Sequence, residues 1–315
     1  MRKISWSNSA AERHFCCCLM QTSADSLYRH KKYARAYQLR PTTTGRRRRL
    51  FARSSLWYDR QAMIKAFDTH LHLDAFDDPE RVLDEARAAG IDGWVVPGVS
   101  PDGWARIEAL AEGYPGVYSA PGIHPLSANR FQPETAAELR NLLAHPRAVA
   151  VGEVGLDRQA DVPWPVQEDV FVAMIRLARE AGKPLLIHAR GRIERVLQII
   201  QREDAGQVGG VFHAFSGSVE TAQRIIGAGF LLGIGGVVTW PGARRLPEVV
   251  RAVPATALVL ETDAPDLAPE PHRGASNRPA YLALVAAKVA ALRSWSLEET
   301  LSVTTANAKR LLQIA

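Results

Sequence analysis

The chain has 315 residues, 47% hydrophobic and 23% charged, which fits one large domain or two ordinary ones and excludes collagen, coiled coil and disulfide scaffold. Its net charge of +6 is uneven: residues 1–62 hold 14 Lys/Arg against 3 Asp/Glu, a balance of +11, and residues 63–315 hold 25 against 30, a balance of −5. A mildly acidic body carries no diffuse field for nucleic acid, so a polyanion would have to meet local arginines or metal ions there.

Residues 1–62 show no helical or strand period and include the run Arg46-Arg47-Arg48-Arg49. The favoured reading is that translation starts at Met63; a disordered basic extension, a transit peptide and a nucleic-acid-binding arm are the alternatives. The three cysteines are adjacent, Cys16 to Cys18, and the rest of the chain has none. That spacing is neither a disulfide framework nor a metal motif, and it fits a reducing, cytoplasmic setting. No apolar run approaches the length of a membrane span, so a soluble protein without a membrane partner is expected.

From Met63 onward, short apolar runs alternate with amphipathic windows. The runs are Ile64–Phe67, Gly93–Val96, Val117–Ala120, Ala148–Val151, Leu185–Ile187, Val211–Phe212, Phe230–Ile234 and Leu258–Leu260. They are β-rich and not alternating, as strands buried on both faces should be. Asp78-Pro79 opens a helix with Val82, Leu83 and Ala86 on one face and Gly90 as its stop. Ser100-Pro101 opens another, a third carries Val170, Met174, Leu177 and Ala178 and ends at Gly182, and Ser218 caps a fourth. Ser296-x-x-Glu299 is a capping-box pattern. Eight strands, each followed by a helical window, predict a single-domain α/β (β/α)8 TIM barrel over 63–315. A doubly wound open sheet is the alternative, but its first turn should be Gly-rich, and here it is His-rich.

In such a barrel the chemistry lies where strands end. Here the ends read Asp68-Thr69-His70-Leu71-His72, Gly122-Ile123-His124-Pro125, Gly152-Glu153, His188-Ala189-Arg190, His213-Ala214-Phe215 and Glu261-Thr262-Asp263. His70 and His72, two apart on an extended segment, point to one side. Any one of these residues alone fits an ordinary core histidine or a buried salt-bridge partner. Four imidazoles and two carboxylates gathered at one mouth would be costly unless metals organise them. Six ligands exceed what one catalytic ion needs, so two divalent ions are expected, with Glu153 as the bridge because its strand lies between the others. Zn, Mn, Co and Ni suit imidazoles better than Mg does, though Mg remains open. No Ser, Cys or Lys stands out as a nucleophile, so attack by water follows. Asp263 and Glu153 are the catalytic candidates, Asp263 as ligand and proton acceptor. His124 is either a turn-packing residue or a donor to substrate, and Arg190 either a rim salt bridge or a phosphate contact.

The body from about Ile64 to the C-terminus resembles the TatD-type metal-dependent hydrolases, the TatD DNases. The motifs that carry the resemblance are Phe67-Asp68-Thr69-His70-Leu71-His72-Leu73-Asp74, Gly122–Pro125, Gly152–Asp157 with Gln167 downstream, His188 with Arg190, His213–Gly217, Glu261–Pro265 and Pro271–Pro279 containing Arg273. The resemblance implies a TIM barrel, metal ligands at His70, His72, Glu153, His188, His213 and Asp263, a bridging Glu153, and 3′→5′ exonuclease-like hydrolysis of DNA. With His124 and Arg190, Arg273 is a candidate substrate-binding residue. The sequence departs from the family pattern at Gly191, where many members carry a polar residue, and at Asp266, where many carry tyrosine. DNA or another phosphodiester is the expected partner, and no obligate protein partner is indicated. The alternatives are hydrolysis of an ester or amide in a non-DNA substrate, and a metal- or nucleic-acid-binding protein without turnover.

Overall fold

The computed structural model describes residues 65–314. The basic segment 1–62, with its boundary at Met63, lies outside the described residues. Eight parallel strands run β1 (Ala66–Asp68), β2 (Ile91–Pro97), β3 (Val117–Ala120), β4 (Val151–Asp157), β5 (Leu185–Arg190), β6 (Gly210–Phe212), β7 (Phe230–Ile234) and β8 (Leu258–Leu260). The helices are α1 (Pro79–Ala88), α2 (Trp104–Gly113), α3 (Pro133–Leu143), α4 (Trp164–Ala181), α5 (Ile193–Arg202), α6 (Val219–Gly227), α7 (Arg245–Ala252), α8 (Leu282–Arg293) and α9 (Leu297–Leu312).

The strands pair in sequence order as two arcs, β1 to β3 and β4 to β8. Short backbone bonds close both seams. Between β3 and β4, Ser119 N donates to Arg147 O at 2.9 Å and accepts from Val149 N at 2.9 Å through its carbonyl. Between β8 and β1, Thr69 N donates to Leu260 O at 3.0 Å. The result is the expected TIM barrel.

Side chains alternate in and out along each strand. In β2, Val95 faces the barrel interior with Phe67, Ala120, Leu186, Val211 and Val259, while Trp94 and Val96 join the sheath between strands and helices. The sheath takes Val82, Leu83 and Ala86 of α1 and Val170, Met174, Leu177 and Ala178 of α4, all buried. Each such side chain contributes roughly 1.5–3 kcal/mol of burial, so the predicted helix faces are what hold the outer ring in place. The caps follow the sequence: Asp78 accepts from Arg81 N, Ser218 from Thr221 N and Ser296 from Glu299 N, at 3.1, 3.3 and 2.9 Å. Gly182 ends α4 at φ 63°. The Ser100-Pro101 start differs. Ser100 makes no side-chain cap bond, and Pro101–Gly103 form a 3-10 turn before α2. Buried Trp104, which donates from Nε1 to Gly122 O at 2.9 Å, fixes where the α-helix begins.

The fourth strand is displaced from its predicted position, running Val151–Asp157 rather than Ala148–Val151. Its Gly and acidic residues look like a loop in isolation. Pairing with β5 carries them as strand: Gly155 stands opposite His188 and Asp157 opposite Arg190. At Gly155, with φ +142°, a Cβ would lie 2.0 Å from His188 O, so only glycine admits this approach. Among the described residues, no single helix is long and apolar enough to cross a membrane.

Candidate metal centre

The seam between β8 and β1 is built around a buried carboxylate. Asp68 accepts from His70 N at 3.1 Å, Thr262 N at 3.0 Å and Thr262 Oγ1 at 2.5 Å. Burial pushes its pKa up to about 7, against the lowering effect of those hydrogen bonds. One residue further on, Asp263 N donates to His70 O at 2.9 Å, and His72 N donates to Ala264 O at 3.0 Å. Asp263 has φ 59°, a left-handed conformation for a non-glycine residue. Buried Asn277 helps hold it there, since its amide donates to Thr262 O and Asp266 O, both at 2.7 Å. The two ends are thus locked together before any ligand is considered.

On this frame His70 and His72 converge, with their Nε2 atoms 3.3 Å apart. Asp263 Oδ1 stands 3.7 Å from each. Across the mouth, His188 projects from β5 and His213 follows β6. Glu153, inside β4, lies between the two groups. Its Oε2 is 3.4 Å from His70 Nε2 and 3.8 Å from His72 Nε2. Its Oε1 is 2.6 Å from His188 Nδ1 and 3.8 Å from His213 Nε2. The two oxygens of one carboxylate therefore face two different nitrogen sets. His213 also approaches the first set, with Nε2 3.5 Å from Asp263 Oδ1 and its ring stacked on His70 at 3.6 Å.

This donor set fits divalent ions. Atoms that share an ion at bonds of about 2.0–2.2 Å stand roughly 3.0–3.5 Å apart, close to most of the separations here. Two imidazole nitrogens 3.3 Å apart make a poor hydrogen bond but a good ligand edge. Three groups each bring one donor atom per residue within 4.8 Å: His70, His72 and Asp263; His70, Glu153 and His213; and His124, Glu153 and His188. Neutral imidazole and ionised carboxylate are the ligands that borderline divalent ions prefer.

The second nitrogen set has carboxylates behind it. His188 Nε2 lies 3.0 Å from Asp157 Oδ2, and Asp157 is itself fixed by Gln159 N donating at 2.7 Å. Gln167, in α4, accepts from Asp157 N at 3.0 Å. His213 Nδ1 lies 3.1 Å from Glu261 Oε1, which also accepts from Ala214 N at 2.6 Å. Gly233 makes room for this buried carboxylate, because a Cβ there would stand 2.1 Å from Glu261 Oε2. Sequence reasoning quoted Asp68, Asp157 and Glu261 within motifs and gave them no task. Asp68 alone carried a signal, as an acid two residues before His70; Asp157 and Glu261 have no histidine beside them in the sequence.

Charge divides in the same way. Burial lowers the His70 pKa to about 4, with His213 adding to the effect. Burial also opposes charge on His188 and His213, but the flanking carboxylates prevail. Glu153 and Asp157 raise His188 to about 9, and Glu261, Asp263 and Glu153 raise His213 to about 10. Burial likewise opposes the charge on Glu153, yet His188, His70, His213 and His124 hold it well below the usual carboxylate range. Asp263 is pushed up to about 6 by burial, against His213 and His72.

The remaining predicted residues take different positions. His124 comes close, with Nε2 3.8 Å from Glu153 Oε1. Its Nδ1 accepts from Leu126 N at 3.1 Å. Burial lowers its pKa to about 4, so the ring is neutral near pH 7 and its one proton sits on Nε2, facing the centre. Arg190, the last residue of β5, and Arg273, in the connection after β8, are exposed; Arg190 forms no rim salt bridge, although its charge helps hold the Asp157 carboxyl below its ordinary value.

Known proteins resemble this chain along its barrel. The sequence profile of the family described as TatD related DNase matches residues 67–313. The chain is 41% identical over 252 residues to YabD of Bacillus subtilis, an uncharacterized metal-dependent hydrolase, covering 79% of this chain and 99% of that one. It is 36% identical over 232 residues to the 3′-5′ ssDNA/RNA exonuclease TatD of Klebsiella pneumoniae, covering 71% and 86%. The crystal structure of YjjV, a TatD homologue from Escherichia coli, superposes with a TM-score of 0.76 at 33% identity, covering 80% of this chain and 100% of the other. The chain belongs to the TatD related DNase family, and is thus one of the metal-dependent hydrolases.

Proposed function

We propose that the protein is a two-metal phosphodiesterase that shortens nucleic acid from a 3′ end. The observation that carries this reading is the split of Glu153, one oxygen toward His70 and His72 and the other toward His188 and His213. In it, His70, His72 and Asp263 would hold one ion and His188 and His213 the other, with Glu153 placed to serve both. Bound there, such ions would supply an activated water and would offset the charge that develops on phosphorus. Asp263 would take the proton of the attacking water. His124 donates from Nε2 to a phosphate oxygen, since its Nδ1 is already committed to Leu126 N. Asp157 and Glu261 hold the rings of His188 and His213 in one orientation each. The name of the Klebsiella relative supports a single-stranded nucleic acid as substrate.

The test combines metal analysis with an assay on single-stranded DNA that has a free 3′ end. Near two ions per chain and stepwise release of mononucleotides are expected. Hydrolysis of an aryl ester with no cleavage of DNA or of bis-p-nitrophenyl phosphate would transfer the reading to carbonyl chemistry. Metal binding without turnover of any of these would make it a binding protein.

A further inference from the structure

Arginine pairing divides the molecule. All but six arginines of residues 65–314 pair with a carboxylate or donate to a side-chain or backbone oxygen. The six that do neither are Arg158, Arg190, Arg192, Arg244, Arg245 and Arg273, and all six are exposed. Every one lies between the C-terminal end of a strand and the start of the next helix, or at that junction. Arg158 follows β4, Arg190 ends β5, Arg192 precedes α5, Arg244 and Arg245 open α7, and Arg273 lies beyond β8. Arg130 and Arg278, which also lie in strand-to-helix connections, are paired with Asp102 and Glu85, so the arginines without a hydrogen-bonded or ion-paired partner are confined to the connections after β4, β5, β7 and β8.

The free arginines form two clusters with the same construction. Arg192 sits over Trp164 at 4.3 Å and Arg273 over Trp240 at 4.5 Å. Trp240 is itself anchored, donating from Nε1 to Ala268 O at 2.9 Å. The other arginines on aromatic rings spend donors within the fold: Arg87 on Trp94 pairs with Asp84, and Arg147 on Tyr118 and Arg293 on Trp295 donate to backbone carbonyls. Arg192, which feels Glu168 only through space, and Arg273 are each seated on an indole and hydrogen-bonded to no carboxylate, so they are oriented yet keep their donors for an incoming anion. The loops after β1 and β2 have the opposite character: they carry Asp74, Asp77, Asp78 and Asp102, and the last of these is paired with Arg130. The connections after β4 and β8 also carry Asp161, Asp266 and Glu270, but the six arginines outnumber them, so a polyanion is favoured on the β4 to β8 half.

One scissile phosphate at the centre does not need six arginines. The clusters lie about three strand spacings apart, on the order of 15 Å along the sheet, which is more than a mononucleotide spans. We propose that they are the two arms of a track for a single-stranded polynucleotide several nucleotides long. Phosphates on either side of the reacting one meet Arg158, Arg190 and Arg192 on one arm and Arg244, Arg245 and Arg273 on the other. Bases stack on the Arg192–Trp164 and Arg273–Trp240 seats, which suits sequence-independent binding. The track rests on reading the centre as a phosphodiesterase.

The experiment uses the full-length, ion-loaded protein and two double variants, R158A/R192A and R244A/R245A. The basic residues 1–62 are common to all three, so their contribution cancels in the comparison. kcat/KM is measured on a ten-nucleotide thymidine oligomer and on the dinucleotide. In parallel, fluorescence anisotropy follows binding of a labelled phosphorothioate decamer at several salt concentrations. Each double variant should lower the decamer-to-dinucleotide ratio about tenfold and flatten the log–log salt slope by roughly 1.4, two contacts at about 0.7 each. R192K should keep the slope and lose part of the ratio, because lysine keeps charge and gives up the planar seat. Equal losses on both substrates, or an unchanged ratio and slope, would overturn the track. If the wild-type protein cleaves neither substrate, the phosphodiesterase reading fails by itself. Anisotropy still judges the track, which is lost if neither arm variant binds the decamer more weakly than wild type.

Discussion

The two sides of Glu153 are made of the same kinds of residue and held in different ways. On the His70 and His72 side the support is backbone. Asp68, Thr262 and Asp263 join the ends of β1 and β8 through hydrogen bonds to main-chain N–H and C=O groups. The histidine buried deepest there, His70, has its pKa driven down to about 4, so it meets an ion as a neutral ligand. On the His188 and His213 side the support is side chain. Asp157 and Glu261 stand behind the rings, and the imidazoles hold protons well above neutral pH. The first side is ready for an ion as folded, and the second must exchange protons for one. A two-metal site assembled this way should fill in order and respond unequally to damage.

The largest effect should come from Glu153→Gln, which removes the charge both sides share. Four imidazoles would then face a neutral amide. Turnover should fall by on the order of ten-thousand-fold or more, beyond the usual cost of a lost general base, and metal analysis should find fewer than two ions. Retention of both ions would show that the two sides do not depend on the bridge. Asp263→Asn strikes the backbone-held side more gently. The amide keeps one oxygen for the ion and takes no proton, so kcat should drop about a hundred- to ten-thousand-fold while the ion remains. Loss of metal in step with rate would make Asp263 a ligand only, and Glu153 the candidate base.

Glu261→Gln and Asp157→Asn sharpen the comparison from the other side. Each leaves the direct donors in place and removes the anion behind one ring. Affinity for the second ion should weaken about ten- to a hundredfold, with the first ion unaffected. Isothermal titration with a divalent metal would resolve the two events. Gly233→Ala should give the same result as Glu261→Gln, because its new Cβ would displace the Glu261 carboxylate from behind His213. Equal weakening of both ions in these variants would mean that the centre behaves as one unit.

Much of this was legible in the sequence, and the gaps have physical causes. Buried parallel strands are short apolar runs, so seven of the eight runs overlap their strands closely, and the barrel rule then turns strand ends into a site. β4 was misplaced because Gly152, Gly155 and two acids read as a turn, while only pairing with β5 shows them as strand. The histidines were found because five of them cluster at strand ends. Asp68, Asp157 and Glu261 had no such signal. Their work depends on contacts across the barrel, such as Asp68 to Thr262, which are 194 residues apart. Of the unpaired arginines, Arg190 and Arg273 stood out beside motifs, but Arg158, Arg192, Arg244 and Arg245 were hidden for the opposite reason. An unpaired arginine is recognised only once the partners of all the others are known.

The smallest expected effect is also the most direct reading of the difference between the sides. In the protein without ions, His188 and His213 have pKa values raised from 6.5 to about 9 and about 10. A histidine with a raised folded-state pKa binds its proton more tightly when folded. Its stabilisation is complete below the unfolded value and is lost as pH rises through the folded one. The ion-free protein should therefore lose thermal stability as pH rises from about 6.5 to about 10. A metal ion takes the place of those protons, so its affinity for this side should rise over the same interval, by up to about tenfold per pH unit for each proton displaced. The Tm gap between ion-loaded and ion-free protein should widen with pH. Titration in buffers of different ionisation enthalpy should show proton release with the second ion and little with the first. A gap that stays constant from pH 7 to 10, or equal proton release with both ions, would mean that the carboxylates behind His188 and His213 orient the rings without keeping them charged. Glu261→Gln distinguishes these cases. If charge is what matters, the variant should release fewer protons as well as bind the second ion more weakly, whereas a purely orienting Glu261 would weaken binding and leave the proton count unchanged.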